Sequence, residues 1–229
     1  MVTSSLAQTR CVLFDLDGTL VDSAPDITIS LNLMLEELSI SSCSLAQARD
    51  WMGNGAGRLI KRALTGQVDG EPSAGLFQRA HKLFLEFYVQ HICEESMIFP
   101  GVVEGLNQLR DRSCVLALIT NKPRVFVPQL LQTLKLDDYF ACVSCGDDLP
   151  VNKPDPMQLY KVMEGLGFQA SQALMVGDSA SDINAAKAAN VTSFCLRYGY
   201  HQGKGVDALG ADYIIDSVTE IADNIQQAA

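Results

Sequence analysis

A chain of 229 residues, 48% of them hydrophobic and 19% charged, has the material for one large domain, or one domain carrying an insert, with a core that needs no staples. That hydrophobic content excludes a disordered chain, and 17 Gly with 8 Pro exclude collagen-like and low-complexity architectures. A net charge of −10, from 17 Lys+Arg against 27 Asp+Glu, argues against a sequence-independent grip on nucleic acid but not against a small anion bound in a locally positive site.

Taken in chain order, residues 1–10 lack the apolar core of a secretory signal. Short runs that are apolar on both faces then recur: Cys11–Phe14, Val115–Ile119, Phe140–Val143, Ala173–Val176, Phe194–Leu196 and Tyr213–Ile215. Such runs are the pattern of buried parallel strands. Segments 102–112, 124–136, 155–166 and 181–190 between them carry helical spacing, so an open α/β sheet with helices on both faces is expected. From about 24 to 95 no strand is visible, only the helical pattern of Ile27–Leu38, Leu45–Met52, Arg58–Leu64 and Leu76–His91. This predicts a Rossmann-like core of residues 1–22 and 96–229, with an α-helical cap of residues 23–95 inserted after the first strand, over the carboxyl edge of the sheet. No apolar run is long enough to span a bilayer, and seven dispersed cysteines read as reduced thiols. A cytoplasmic protein with no membrane partner, a monomer or a homodimer, is expected.

Ligands of open α/β sheets bind at the carboxyl ends of the strands. The first strand runs into Asp15-Leu16-Asp17-Gly18-Thr19-Leu20. Period-two alternation turns Asp15 and Asp17 to one side and Leu16 to packing. Two carboxylates at one strand end repel unless a cation lies between them, and magnesium suits an all-oxygen set. Gly18 permits a sharp turn, beside which Thr19 offers a hydroxyl and an amide. The second strand ends in Thr120-Asn121, which suits phosphate oxygens or equally a helix cap. In Lys153-Pro154-Asp155-Pro156, the prolines are expected in the first turn of a helix, holding Lys153 at its positive end. Gly177-Asp178-Ser179 with Asp182 supplies further carboxylates at a fourth tip, or two acidic helix caps. Each motif alone has a plain structural reading. Together they place carboxylates, a lysine and a hydroxyl/amide pair at one sheet edge, the groups that phosphoryl transfer through a covalent aspartyl intermediate requires.

These four motifs, in this order, resemble those of the haloacid dehalogenase-like hydrolase superfamily. Narrower features are similar to its bacterial phosphoglycolate phosphatase branch: Asp22-Ser23-Ala24-Pro25-Asp26, Trp51–Ala56, Thr120-Asn121-Lys122-Pro123, Gly146-Asp147-Asp148 and Tyr198-Gly199-Tyr200. The resemblance implies a magnesium-dependent phosphomonoester hydrolase, with Asp15 as nucleophile and Asp17 as acid and base. It implies a metal set of Asp15, the Asp17 carbonyl and Asp178, oriented by Asp182, with Gly18, Gly177 and Ser179 in support. Thr19, Thr120, Asn121 and Lys153 would then bind the substrate, a small anionic phosphomonoester. The cap would select it, with the amides of Gly53–Ala56 and the Arg58 guanidinium aimed at a small carboxylate, unless Arg58 faces solvent. A sugar-phosphate phosphatase, for instance for N-acetylmuramate 6-phosphate, and a non-catalytic phosphate binder are the alternatives. A dehalogenase does not use the second aspartate, and Asp17 is present. The Cys142-Val143-Ser144-Cys145 spacing ends a strand and has no second pair, so it reads as inert buried thiols. His81, His91 and His201 have no ligand spacing, and Trp51 reads as core or hinge.

Overall fold

A computed structural model describes residues 6–203 and 205–228, so the reading of the opening segment falls partly outside the described residues. Six strands form one parallel sheet: β1 (Cys11–Phe14), β4 (Val115–Ile119), β5 (Cys142–Ser144), β6 (Ala173–Gly177), β7 (Thr192–Leu196) and β8 (Tyr213–Ile215). Their order is β5-β4-β1-β6-β7-β8, with β1 in register against both β4 and β6. Successive strands are added outward on opposite sides of β1 (β4 then β5 on one, β6 to β8 on the other), so the crevice of this parallel sheet opens there, at its carboxyl end.

Alternation along the strands divides the core in two. Val12, Phe14, Leu116, Leu118, Leu174 and Val176 face one side, where they meet α5 (Val102–Asp111), α6 (Val127–Thr133) and α9 (Thr219–Ala228). Cys11, Leu13, Ala117, Ile119 and Met175 face the other, against α7 (Met157–Leu166) and α8 (Ala180–Ala189). Strands buried on both faces cannot alternate apolar with polar residues, which is why they appear in the sequence as continuous apolar runs.

The stretch after β1 is helical as expected: α1 (Ala24–Glu37), α2 (Leu45–Trp51), α3 (Gly55–Thr65) and α4 (Ala74–Gln90). Pro25 stands in the first turn of α1, and Ser44 with Gln47 forms a capping box at α2. Two short strands that the sequence pattern does not reveal, β2 (Val21–Asp22) and β3 (Met97–Ile98), pair antiparallel and bracket these helices. Two residues carry no readable period. The buried cluster runs from Leu31, Phe84 and Tyr88 of the helical insert to Phe126 and Leu130 of the remainder without a break.

Several boundaries differ from expectation: β5, expected at Phe140–Val143, runs Cys142–Ser144, and α1 and α3 each begin three residues before the expected Ile27 and Arg58. The segment from 124 opens as a 3-10 turn (Arg124–Phe126), and α6 begins only at Val127, because Pro128 suits a first helical turn and not an interior. Likewise α7 starts at Met157 behind Pro156, so Pro154 precedes the helix instead of forming its first turn.

Asp26 of α1, fully buried, closes the insert on itself. Its carboxylate accepts from the amides of Glu95 (2.7 Å) and Ser96 (3.0 Å) and from the Ser96 hydroxyl. Asp26→Ala leaves these donors unpaired and costs about 2–4 kcal/mol. Urea unfolding checks this, with an expected fall in midpoint at unchanged m-value.

Candidate active site

The charged groups of the site come from the strand tips, from the loop that carries Lys153 and from the first turn of α8, which carries Asp182. The β1 ladder continues one residue past Phe14, where the Asp15 amide donates to the Val176 carbonyl at 2.9 Å. The chain then turns at Gly18, whose φ of +89° and whose position against Asp178, 2.3 Å from where a Cβ would meet its Oδ2, both require glycine. Asp15 and Asp17 line one pocket while Leu16 is fully buried, as alternation predicts. At the β6 tip, Ser179 and Asp182 form the capping box of α8: the Asp182 Oδ2 accepts from the Ser179 hydroxyl (2.7 Å) and from the amides of Asp178 (3.2 Å) and Ser179 (3.0 Å). Gly177 lets Asp182 approach, since a Cβ there would stand 2.3 Å from that of Asp182.

Lys153 joins the tips. Its Nζ lies 2.8 Å from Asp15 Oδ1 and 2.6 Å from Asp182 Oδ1, and donates to the Ile119 carbonyl at 2.7 Å. The expected position at a helix end is not found, because two full charges at contact distance outweigh the partial charge of a helix terminus. Burial by itself would depress the Lys153 ammonium, but Asp15 and Asp182 hold its pKa above the ordinary lysine range.

The carboxylates are crowded. Oxygens of Asp15, Asp178 and Asp182, all buried, lie within 4.8 Å of one another. Burial, with Asp182 and Asp17 adding to it and Lys153 opposing, raises Asp15 from 3.8 to about 7. Burial, then Asp182 and Asp15, raises Asp178 well above the carboxylate range against the pull of the Tyr200 amide and the Thr19 hydroxyl. Three buried carboxylates against one ammonium leave an uncompensated excess of negative charge, and an all-oxygen donor set in that state fits a hard divalent cation. Both Asp182 oxygens are taken up by Lys153 and the capping box, and the Asp178 oxygens accept one bond each, from the Thr19 hydroxyl and the Tyr200 amide.

The pocket is walled by Asp15, Asp17, Thr120, Asn121, Lys122 and Lys153 from the strand tips, and by Ile27, Met52, Gly53, Gly55, Ala56, Leu59, Phe84 and Tyr88 from the helical insert. Thr120 Oγ1 accepts from the Lys122 amide at 3.1 Å, so its own proton is available to a ligand. The Asn121 side chain clamps the Lys153 backbone, donating to its carbonyl (2.9 Å) and accepting from its amide (3.1 Å).

Two residues read from the sequence as substrate contacts are not brought to the pocket. Thr19 spends its hydroxyl on Asp178 Oδ1 at 2.9 Å and so supports that carboxylate. Arg58 pairs with Asp69 (2.6 Å) and Glu71 (2.8 Å) on the outer side of the insert, neighbours in space that sequence separation hid. Its near neighbour Arg62 holds the loop instead, donating to the carbonyls of Trp51 (2.7 Å) and Val68 (3.0 Å) and to Asn54 (2.9 Å).

Sequence reasoning left other residues without a role. Lys122 Nζ contacts Asp17 Oδ1 (2.9 Å) and Oδ2 (3.2 Å) and the Tyr88 hydroxyl (2.6 Å), and Ser23 also donates to Asp17. The signal was present, since Lys122 is two residues beyond Thr120 at a strand tip. Tyr200 donates its amide to Asp178 at 2.6 Å and its hydroxyl to Asp22, which in turn pairs with Arg49 at 2.7 Å. Cys142 and Cys145 are free, and burial pushes Cys145 up to about 11, in line with an inert thiol. His91 sits on Glu94, His81 beside Phe77 and His201 against the Leu196 carbonyl, none at the pocket. Trp51 packs partly buried against the core.

The sequence profile of a family described as haloacid dehalogenase-like hydrolase matches residues 12–196. A phosphoglycolate phosphatase of Nitrosococcus oceani is 42% identical over 98% of this chain and 100% of its own length, and one of Nitrosospira multiformis is 42% identical over 96% and 97%. Among solved structures, a predicted phosphoglycolate phosphatase of Haemophilus somnus superposes with a TM-score of 0.88 at 33% identity, covering 94% of this chain and 97% of that one. CbbY of Rhodobacter sphaeroides in complex with phosphate, at 22% identity and a TM-score of 0.79 over 95% and 99%, shares the fold.

A carboxylate whose pKa is raised on folding contributes stability at low pH and loses it as pH rises. For Asp15 the loss runs from about pH 4 to about pH 7. In chelator-treated protein, Asp15→Asn is therefore expected to be more stable than wild type above pH 7, with the gap closing toward pH 4. Urea titrations across that range measure it.

Proposed function

The chain belongs to the haloacid dehalogenase-like hydrolases and is a phosphatase of that family; from that premise we propose that it hydrolyses 2-phosphoglycolate to glycolate and phosphate, with magnesium as cofactor and Asp15 as nucleophile. The observation that carries the reading is the buried triad of Asp15, Asp178 and Asp182 paired with Lys153, of which Asp15 and Lys153 line the pocket. The names and near full-length identity of the relatives support the choice of substrate.

Asp15, Asp178 and the Asp17 carbonyl would hold magnesium, whose chemistry is to neutralise charge on the transferring oxygens. Lys153 and the Thr120 hydroxyl orient the phosphoryl group, and Asn121 keeps Lys153 in place by clamping its backbone. An Asp15 carboxylate oxygen attacks phosphorus as the ester P–O bond breaks, and Asp17 delivers a proton to the departing glycolate oxygen. Asp17, now ionised, takes a proton from water as that water attacks the aspartyl phosphate, which releases phosphate and restores Asp15. The apolar wall of Leu59, Phe84 and Met52 limits water at the reacting centre between the two steps. The seven free cysteines suit a reducing compartment, so the cytoplasm is the proposed setting.

Phosphate release from a panel of phosphomonoesters, with and without magnesium, tests the proposal. A kcat/KM for 2-phosphoglycolate about a hundredfold above that for amino-sugar and hexose 6-phosphates is expected, roughly 3 kcal/mol of discrimination. Asp15→Asn is expected to abolish turnover, and Asp17→Asn to lower kcat by about 10²–10⁴. Equal rates across the panel would reject the substrate, and wild-type turnover by Asp15→Asn would reject the mechanism.

A further inference from the structure

A substrate that carries a carboxylate as well as a phosphate needs a second cation in the pocket, and Arg58 does not reach it. Among the described residues lining the pocket, the cations are Lys153 and Lys122. Lys153 contacts Asp15, with Asp182 and the Ile119 carbonyl on its other sides, and so stands at the phosphoryl end of the pocket. Lys122 is differently placed. It is 5% exposed, its ammonium contacts both oxygens of the Asp17 carboxylate and the Tyr88 hydroxyl beside the group that would protonate the leaving oxygen, and it stands 4.6 Å from the Tyr88 ring centroid.

The Tyr88 hydroxyl accepts from Lys122, and among the described residues no acceptor is found for its own proton. The two groups therefore form a donor pair at the pocket wall, one of them charged. Tyr88 is fixed by stacking on Phe84 and by the tilted contact with Phe126, at centroid distances of 5.6 Å and 4.6 Å.

We propose that Lys122 and Tyr88 form the carboxylate subsite of the substrate, and so select a phosphomonoester with an anion one carbon from the ester oxygen over neutral or hydroxylated ones; this rests on the 2-phosphoglycolate reading. The spacing carries the argument. In 2-phosphoglycolate one methylene separates the ester oxygen from the carboxylate, so the carboxylate oxygens lie about 3 Å from that ester oxygen. Asp17 reaches the ester oxygen to protonate it, and Lys122 is 2.9 Å from Asp17. The cation therefore stands where an α-carboxylate falls when the ester oxygen is beside Asp17. A hexose 6-phosphate brings a carbon bearing hydroxyls or the ring to the same spot, and these return little for displacing water from a buried ammonium.

The test compares 2-phosphoglycolate with 2-hydroxyethyl phosphate, in which a neutral CH2OH replaces the carboxylate, and reads the ratio of the two kcat/KM values. Lys122→Gln also disturbs Asp17, which slows both substrates and cancels in the ratio. The expected result is a fall in that ratio of at least about 30-fold in Lys122→Gln, with Lys122→Arg keeping most of it. Tyr88→Phe, which deletes one hydroxyl without opening the core, is expected to lower the ratio about threefold or more and serves if Lys122→Gln does not fold. A wild-type ratio near one would reject the 2-phosphoglycolate reading before any variant is measured. A high wild-type ratio that survives in both Lys122→Gln and Tyr88→Phe would leave that reading standing and overturn the carboxylate subsite alone.

Discussion

One buried ammonium organises the catalytic edge. Lys153 ties the nucleophile candidate on β1, the acidic cap of α8 and the last carbonyl of β4 through three contacts of 2.6–2.8 Å. A buried charge is tolerated only where it is paired and hydrogen-bonded, and here the partners come from three separate elements. Neither the carboxylates nor the lysine would be stable alone at this depth. Their joint burial sets three carboxylates against one lysine, a donor set that fits a hard divalent cation.

Around this centre the molecule spends much of its polar chemistry on connection to the helical insert. Asp178 is held by the Thr19 hydroxyl and the Tyr200 amide, and the Tyr200 hydroxyl reaches Asp22 at the root of the insert. Asp17 is held by Ser23, the residue preceding α1, and by Lys122, which leans on Tyr88 of α4. Asn54 donates to Ser181 on α8 at 2.9 Å, and Gln202 donates to Asn54 at 2.8 Å. Asp17 and Asp178, on either side of Asp15, are thus coupled by hydrogen bonds to the segment that walls the pocket. The pocket, in turn, takes its apolar side from the insert and its charged side from the strand tips.

Much of this was legible in the sequence because it is periodic or local. The six strands stood out as apolar runs, the four central ones buried on both faces, and the insert stood out by its lack of one. The Asp15/Leu16/Asp17 alternation correctly separated pocket from packing. What escaped was set by distance in sequence. Arg58 could not be assigned without knowing that Asp69 and Glu71 fold back upon it, and Thr19 could not be separated from the pocket without knowing that Asp178 lies within reach. Lys122 and Tyr88 are 34 residues apart, and their meeting depends on the packing of α4 against the sheet edge. The two-residue strands β2 and β3 lie below the length at which any period can be read.

The central claim is that the buried carboxylates form a cation site. Titration calorimetry of magnesium into wild type and Asp178→Asn tests it most directly. The account requires saturable binding of one ion in wild type and loss of that binding in the variant, with both proteins folded. Equal binding by the two, or none by wild type, would contradict it.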